Sequence, residues 1–294
     1  MRKQLILAVA AAALLLACTS EKPVSVKLNK SKLALDKGET VTLMATVEPA
    51  NSAAALEWAS SDVSVAIVEG GRVTGVAAGT AGITVQAGDK QAVCKITVRD
   101  PLAVASVDLG LPSGLIWAAC NVGASSPEEY GDYYGWGETE PNSSYDWPDY
   151  GLCNGTSASL TKYNTDSSCG VVDNKTVLDA EDDVARLILG GKWRMPTIGD
   201  WTELQTVCTW EWTTVGGVNG ELVTGPGGRS IFLPAAGSRF RTDLYRDGFE
   251  GNYWSSCLFT DSPTFGLFLY FNSGGCYQSN ATRRDGFPVR AVMQ

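Results

Sequence analysis

Apolar and polar positions follow three regimes along the chain. Leu5 to Leu16 is an unbroken apolar run behind a short basic start, Arg2 and Lys3. From Val24 the pattern turns to alternation. Val24, Val26 and Leu28 alternate with polar partners; Val41, Leu43, Ala45 and Val47 alternate with Thr40, Thr42, Met44 and Thr46; Cys94, Ile96 and Val98 alternate with Val93, Lys95 and Thr97. A period of two places one set of side chains on a buried face, so these segments are expected to be half-buried strands. Asp36-Lys37-Gly38, Glu48-Pro49-Ala50-Asn51, Gly70-Gly71 and Gly88-Asp89 supply turn chemistry between them. Short strands at this spacing predict an immunoglobulin-like β-sandwich over residues 24–98. Cys94 falls on the core side of its strand, where a thiol serves as a small apolar residue.

Beyond a linker at 99–106 the alternation gives way to Gly-rich, aromatic sequence with two helical stretches, which predicts an α+β module over 107–294. The first helix is expected to open at Asp179, with Glu181, Asp182 and Asp183 in its first turn and Val184, Leu187 and Ile188 on one face; Gly190-Gly191 ends it. Acids there suit the helix dipole. The same Asp179, Glu181, Asp182 and Asp183 are hard oxygen ligands, so calcium stands as the alternative, the less favoured because the spacing lacks the interleaved glycine of a calcium loop. No other cofactor is expected. The second helix follows Trp193-Arg194-Met195-Pro196, with Thr197 and Asp200 spaced as a near variant of the capping box and Trp201, Leu204 and Cys208 on one face.

The apolar run at the start is too short for a membrane span and reads as a secretory signal over residues 1–17. Its Leu15-Leu16-Ala17-Cys18 ending resembles the lipobox of bacterial lipoproteins. The resemblance implies that Cys18 is acylated and begins the mature chain, with 18–23 as anchor and tether. Thr19 after the cysteine favours the outer membrane and exposure at the cell surface. Acyl chains on Cys18 are then the chain's attachment to the membrane.

Composition narrows the chemistry. The 294 residues contain no histidine, which excludes histidine-based triads, general bases and metal sites. From Thr19 to Asp100, nine basic residues balance nine acidic ones; from Pro101 onward there are twelve basic and twenty-three acidic. An acidic distal module argues against nucleic acid as a partner.

Wording within each module is more specific. Leu35-x-x-Gly38, Val47-x-Pro49, Trp58-x-Ser60-Ser61-Asp62 and Val73-Thr74-Gly75-Val76-Ala77-Ala78-Gly79-Thr80-Ala81 resemble the group 2 bacterial immunoglobulin-like domain. That family implies a spacer or adhesive module. In the second module, Val107 to Cys120, Tyr130-Gly131-Asp132-Tyr133-Tyr134-Gly135-Trp136-Gly137-Glu138, Trp193-Arg194-Met195-Pro196-Thr197, Tyr253-Trp254-Ser255-Ser256 and Gly286-Phe287-Pro288-Val289-Arg290 resemble the Fibrobacter succinogenes major paralogous domain. Some of these phrases are also similar to sulfatase-modifying enzymes. This implies a C-type-lectin-like fold with two helices, irregular sheets and paired terminal strands.

Three sets of residues are candidates for function. Tyr145, Asp146, Trp147, Asp149 and Tyr150, with Trp136, Glu138 and Glu140, interleave aromatic rings that can stack on sugars with carboxylates that accept from their hydroxyls, and Asn252 beside Trp254 sets an amide next to a ring in the same way. Rings turned inward as a small core are the competing reading, above all for Trp136. Cys120, Cys153, Cys169, Cys208, Cys257 and Cys276 form an even set that predicts at least one disulfide in an exported protein. The numerous carboxylates leave open a glycoside hydrolase, which needs an acid pair about 5–10 Å apart. The leading expectation is a non-catalytic module binding glycan or protein, ahead of a structural subunit of a surface assembly and of that hydrolase.

Overall fold

The computed structural model describes residues 21–101 and 104–294. The segment expected to be a signal, and Cys18, lie outside the described residues. No helix among those described is long and apolar enough to cross a membrane.

The alternation read over 24–98 builds three sheets. Strand β1 (Ser25–Leu28) pairs antiparallel with β4 (Ala45–Glu48). Strands β2 (Lys32–Asp36), β9 (Lys90–Arg99), β8 (Gly79–Ala87) and β5 (Leu56–Ser60) form a four-stranded sheet in that order, with β2 parallel to β9. Strands β3 (Thr40–Thr42), β7 (Arg72–Gly75) and β6 (Ala66–Glu69) form the third. Leu35, Leu43, Val73, Ile83, Cys94, Ile96 and Val98 fill the space between them, and Cys94 is fully buried as its position in the alternation required. One expectation is refined. The run from Val41 to Val47 is two strands, because the chain changes sheets at Leu43-Met44: the Leu43 N–H donates to Gly71 O, while the Met44 N–H donates to Asn29 Oδ1. Sandwich corners are made this way.

In the second module, β10 (Ser106–Asp108), β11 (Ile116–Ala118) and the closing strand β20 (Val292–Met293) pair, so the ends of the module meet. Strands β12 (Thr209–Val215), β13 (Val218–Thr224) and β14 (Ser230–Pro234) form a meander, and β15 (Ser238–Phe240) and β16 (Asp243–Tyr245) a short hairpin. Strands β17 (Glu250–Leu258), β18 (Phe265–Asn272) and β19 (Gly275–Thr282) form a sheet that separates two cores. Trp254 and Phe268 point to one, with Trp136, Trp193 and Phe287. Tyr253, Leu269 and Phe271 point to the other, with Trp117 and Trp201. A sheet covered on both faces loses its simple alternation.

Helix α2 (Ile198–Val207) starts where expected: the Asp200 N–H donates to Thr197 Oγ1 at 3.2 Å and the Thr197 N–H to Asp200 Oδ2 at 2.7 Å. Helix α1 is shorter than read. It covers Val184–Leu189, and its cap is Asp183, not Asp179; Ile188 is exposed. The buried Asp183 carboxylate accepts from the Arg186 and Met195 N–H groups, which ties the helix start to the Trp193–Met195 segment.

The glycine pair that stops α1 is also where the modules meet. Asp36 Oδ2 accepts from the Gly191 N–H at 2.8 Å, Asp36 Oδ1 pairs with Arg99 Nε at 2.8 Å, and Arg99 Nη1 donates to the carbonyls of Arg186 and Leu187 at the end of α1. A Cβ on Gly190, at φ +74°, would lie 2.2 Å from Asp36 Oδ1. Gly190→Ala is therefore expected to push Asp36 off Arg99 and raise tryptic cleavage after Arg99 several-fold in the folded protein. An unchanged cleavage rate would show that this contact does not hold the modules together.

Candidate functional site

The aromatic loop from Tyr130 to Tyr150 folds inward. Tyr145 and Tyr150 are 2% and 3% exposed and Trp136 is fully buried. Each ring's polar atom is bound to the backbone: Tyr145 OH donates to Tyr133 O, Tyr150 OH to Trp136 O, and Trp136 Nε1 to Ser255 O. Burial pushes the Tyr145 hydroxyl up to about 12. The reading of Tyr145, Trp147 and Tyr150 as an exposed stacking face is therefore corrected.

The reason lies far along the chain. The buried Arg283 guanidinium packs over the rings of Trp136 and Tyr150, donates from Nε to Tyr150 OH, and reaches the carbonyls of Lys162, Tyr163 and Pro263. Aromatic faces that a sugar would need are filled by the protein's own cation. Trp147 is half-buried, and Arg284 sits between it and Phe240. Asp146 holds both Arg284 and Arg241 and accepts from the Trp147 N–H, which with those arginines keeps its carboxyl below the usual range. Asn252 and Trp254 are likewise buried, donating to Gly237 O and Tyr134 O.

Carboxylates in and near the loop are mostly committed. A recess of about 240 Å³ is lined by Glu138, Glu140 and Asp182. Glu138 Oε1 accepts from the Gly151 N–H and Oε2 from Asn142 Nδ2, and burial pushes its carboxyl up. Asp182 accepts from Lys162 Nζ at 2.8 Å and from Tyr163 OH. Glu140 and Asp149 are exposed. Of the recess carboxylates, Glu140 alone makes no hydrogen bond to the described residues.

Asp179, Glu181 and Asp182 bring oxygens within 4.8 Å of one another. Lysines take the place a cation would occupy: Lys162 Nζ bridges Glu181 and Asp182, and Lys175 pairs with Asp179. The fourth predicted ligand, Asp183, is turned away as the cap of α1.

The expected disulfide does not form, and all seven described cysteines are free. Among the six candidates, Cys153 and Cys257 have hydrogen-bond partners away from any other thiol. Cys153 donates to the carbonyls of Trp147 and Tyr150, Cys257 Sγ accepts from the Ile198 N–H, and burial pushes the Cys208 thiol up to about 11.

An exposed aromatic surface does exist, elsewhere. Tyr270 on β18 and Tyr277 on β19 face each other across the sheet with ring centroids 4.7 Å apart. Tyr277 is 55% exposed. Tyr270 OH donates to Glu250 Oε2 at 3.1 Å and accepts from Asn272 Nδ2 at 2.8 Å, and Arg246 Nε holds Glu250 at 2.7 Å. The pairing was available in the sequence: Asn272-Ser273-Gly274-Gly275 is a hairpin turn, and alternation from it places both tyrosines on one face.

Residues 22–98 match the bacterial Ig-like domain (group 2) family. No curated protein matches the chain. Similar solved structures include the S-layer protein SbsC domains 4 and 5, 20% identical over 26% of this chain and 53% of that one, with a TM-score of 0.23. The chain thus spans about half the length of that structure. Domains 5-6 of the same protein are 11% identical over 89% of this chain and 98% of that one, with a TM-score of 0.24.

Proposed function

We propose that this chain is a non-catalytic binding module displayed at the cell surface, held by an acylated Cys18 and set off from the membrane by its immunoglobulin-like module. The observation that carries this reading is the bacterial immunoglobulin-like match over residues 22–98, which points to no enzymatic family. The second module is read as a major paralogous domain of C-type-lectin-like fold, a reading supported by its two helices and by the pairing of β11, near its start, with β20. Its partner is a glycan or a surface protein.

Cys18→Ala is expected to move the protein from the membrane fraction to the soluble one, since without acylation no lipid chain remains to hold it. Retention in the membrane would remove the anchor from this account. A glycan array and a pull-down from surface-protein extracts, both with the full mature chain, are expected to recover a ligand. Binding in neither would overturn the binding role.

A further inference from the structure

The sheet face that carries Tyr270 and Tyr277 changes character along its length. Toward the interior it presents Trp254 and Phe268 to the core. Outward it presents Tyr270, Asn272 and Glu250 with Tyr277. The exposed ring of Tyr277 stands against the half-buried ring of Tyr270, and the two are held in one geometry by each other and by the Glu250, Asn272 and Arg246 network.

We infer that Tyr277, Tyr270, Asn272, Glu250 and Arg246 form a binding site for a neutral pyranose within a glycan chain; this rests on the binding-module reading above and names its ligand class and place. The ring of Tyr277 supplies a flat apolar surface for the C–H face of a sugar. Around it stand polar atoms with spare capacity. Tyr277 OH, Glu250 Oε1 and the terminal nitrogens of Arg246 make no hydrogen bond with the described residues, and Asn272 uses one of its two amide hydrogens. Donors and acceptors side by side match neighbouring sugar hydroxyls, each of which both gives and accepts.

Charge selects among glycans. Glu250 cancels Arg246, so an anionic sugar would gain little from the arginine and would meet the free Glu250 oxygen. Rigidity helps affinity, because the side chains are already ordered before a ligand arrives. A large protein interface fits less well: a stable one takes about 800 Å² per partner, and the face around Tyr277 is polar, with Asn272 and Ser279 beside it.

The test uses the full mature chain with cellohexaose, mannohexaose and the anionic hexagalacturonate, followed by NMR of the tyrosine rings and by calorimetry. Binding of at least one neutral hexaose is expected, with the Tyr277 ring resonances shifting. Tyr277→Ala should weaken it tenfold or more, Tyr277→Trp should keep it within a few-fold, and Arg246→Gln should weaken it less than Tyr277→Ala does. Tyr277 and Arg246 are both largely exposed, so the thermal transitions of these variants should stay at the parent value. The site is overturned if neither neutral hexaose binds, if hexagalacturonate binds more tightly, or if Tyr277→Ala and Arg246→Gln leave the affinity unchanged. A ligand recovered by the array or pull-down in those cases would leave the binding role standing and this site refuted; no ligand in any assay would refute both.

Discussion

Arg290→Ala is expected to abolish the cooperative unfolding transition of the second module or to lower it by about 10 °C, while the immunoglobulin-like transition stays in place. The Arg290 side chain is fully buried, and its hydrogen bonds go to no carboxylate. Its charge is spread over carbonyl oxygens: Nε donates to Asn121 Oδ1, Nη1 to the Ala118 and Ala119 carbonyls, and Nη2 to Phe232 O at 2.9 Å. Burial pulls the guanidinium below its ordinary pKa, yet it stays protonated. Removal takes a donor from four acceptors, three of them buried, and leaves a cavity. At about 1–3 kcal/mol for each unsatisfied group, partly offset by the charge no longer buried, the net cost is about 4 kcal/mol. For a module of this size that is about 10 °C. Arg290→Lys should fall between, since one ammonium reaches fewer of these acceptors. A melting curve of Arg290→Ala that superimposes on the parent would show that these acceptors find water instead.

Glu221→Gln is expected to act in the opposite direction, stabilising the second module above neutral pH. Glu221 on β13 is 4% exposed, lies opposite Trp212 and Leu233, and its Oε2 has no hydrogen-bond partner among the described residues. Burial pushes its carboxyl from 4.5 up to about 7. The folded protein therefore keeps a proton that the unfolded chain releases. Below about pH 4.5 both states hold the proton and the residue costs nothing. As pH rises from 4.5 to 7 the unfolded state is favoured increasingly, and above 7 the penalty levels at about 3 kcal/mol. Glutamine keeps the shape and removes the ionisation. Denaturant titrations should find the two proteins within about 1 kcal/mol at about pH 4.5 and the variant about 2–3 kcal/mol more stable at about pH 8.5. Equal stability at both values would mean that Glu221 ionises in the fold as freely as in the unfolded chain.

Both residues show what kind of information the sequence held. Arg290 closes the phrase Gly286-Phe287-Pro288-Val289-Arg290, and nothing in that phrase showed that it serves Ala118, Ala119 and Phe232. Glu221 sits in a strand of ordinary alternation and carried no signal at all. The Tyr270 and Tyr277 pair lay open to the same alternation that revealed the first module, but only through a turn at Asn272–Gly275 that joins strands already flanked by apolar residues on both faces.

What the sequence determined by itself was local. Alternation set the strands over 24–98 and buried Cys94; Thr197 and Asp200 set the start of α2; Gly190-Gly191 set the end of α1. In each case the interacting groups lie within a few residues or follow a fixed period, so the physics is contained in the window that is read. Tertiary structure decided which aromatic rings meet water and which thiols and carboxylates meet each other. Tyr150 is buried because Arg283, 133 residues away, binds its hydroxyl. Asp146 is spent on Arg241 and Arg284, and Lys162 stands among the acids that spacing alone had offered to calcium. Exposure and pairing depend on what packs against a residue from distant parts of the chain, and a local pattern of rings and acids is the same whether it faces solvent or an arginine.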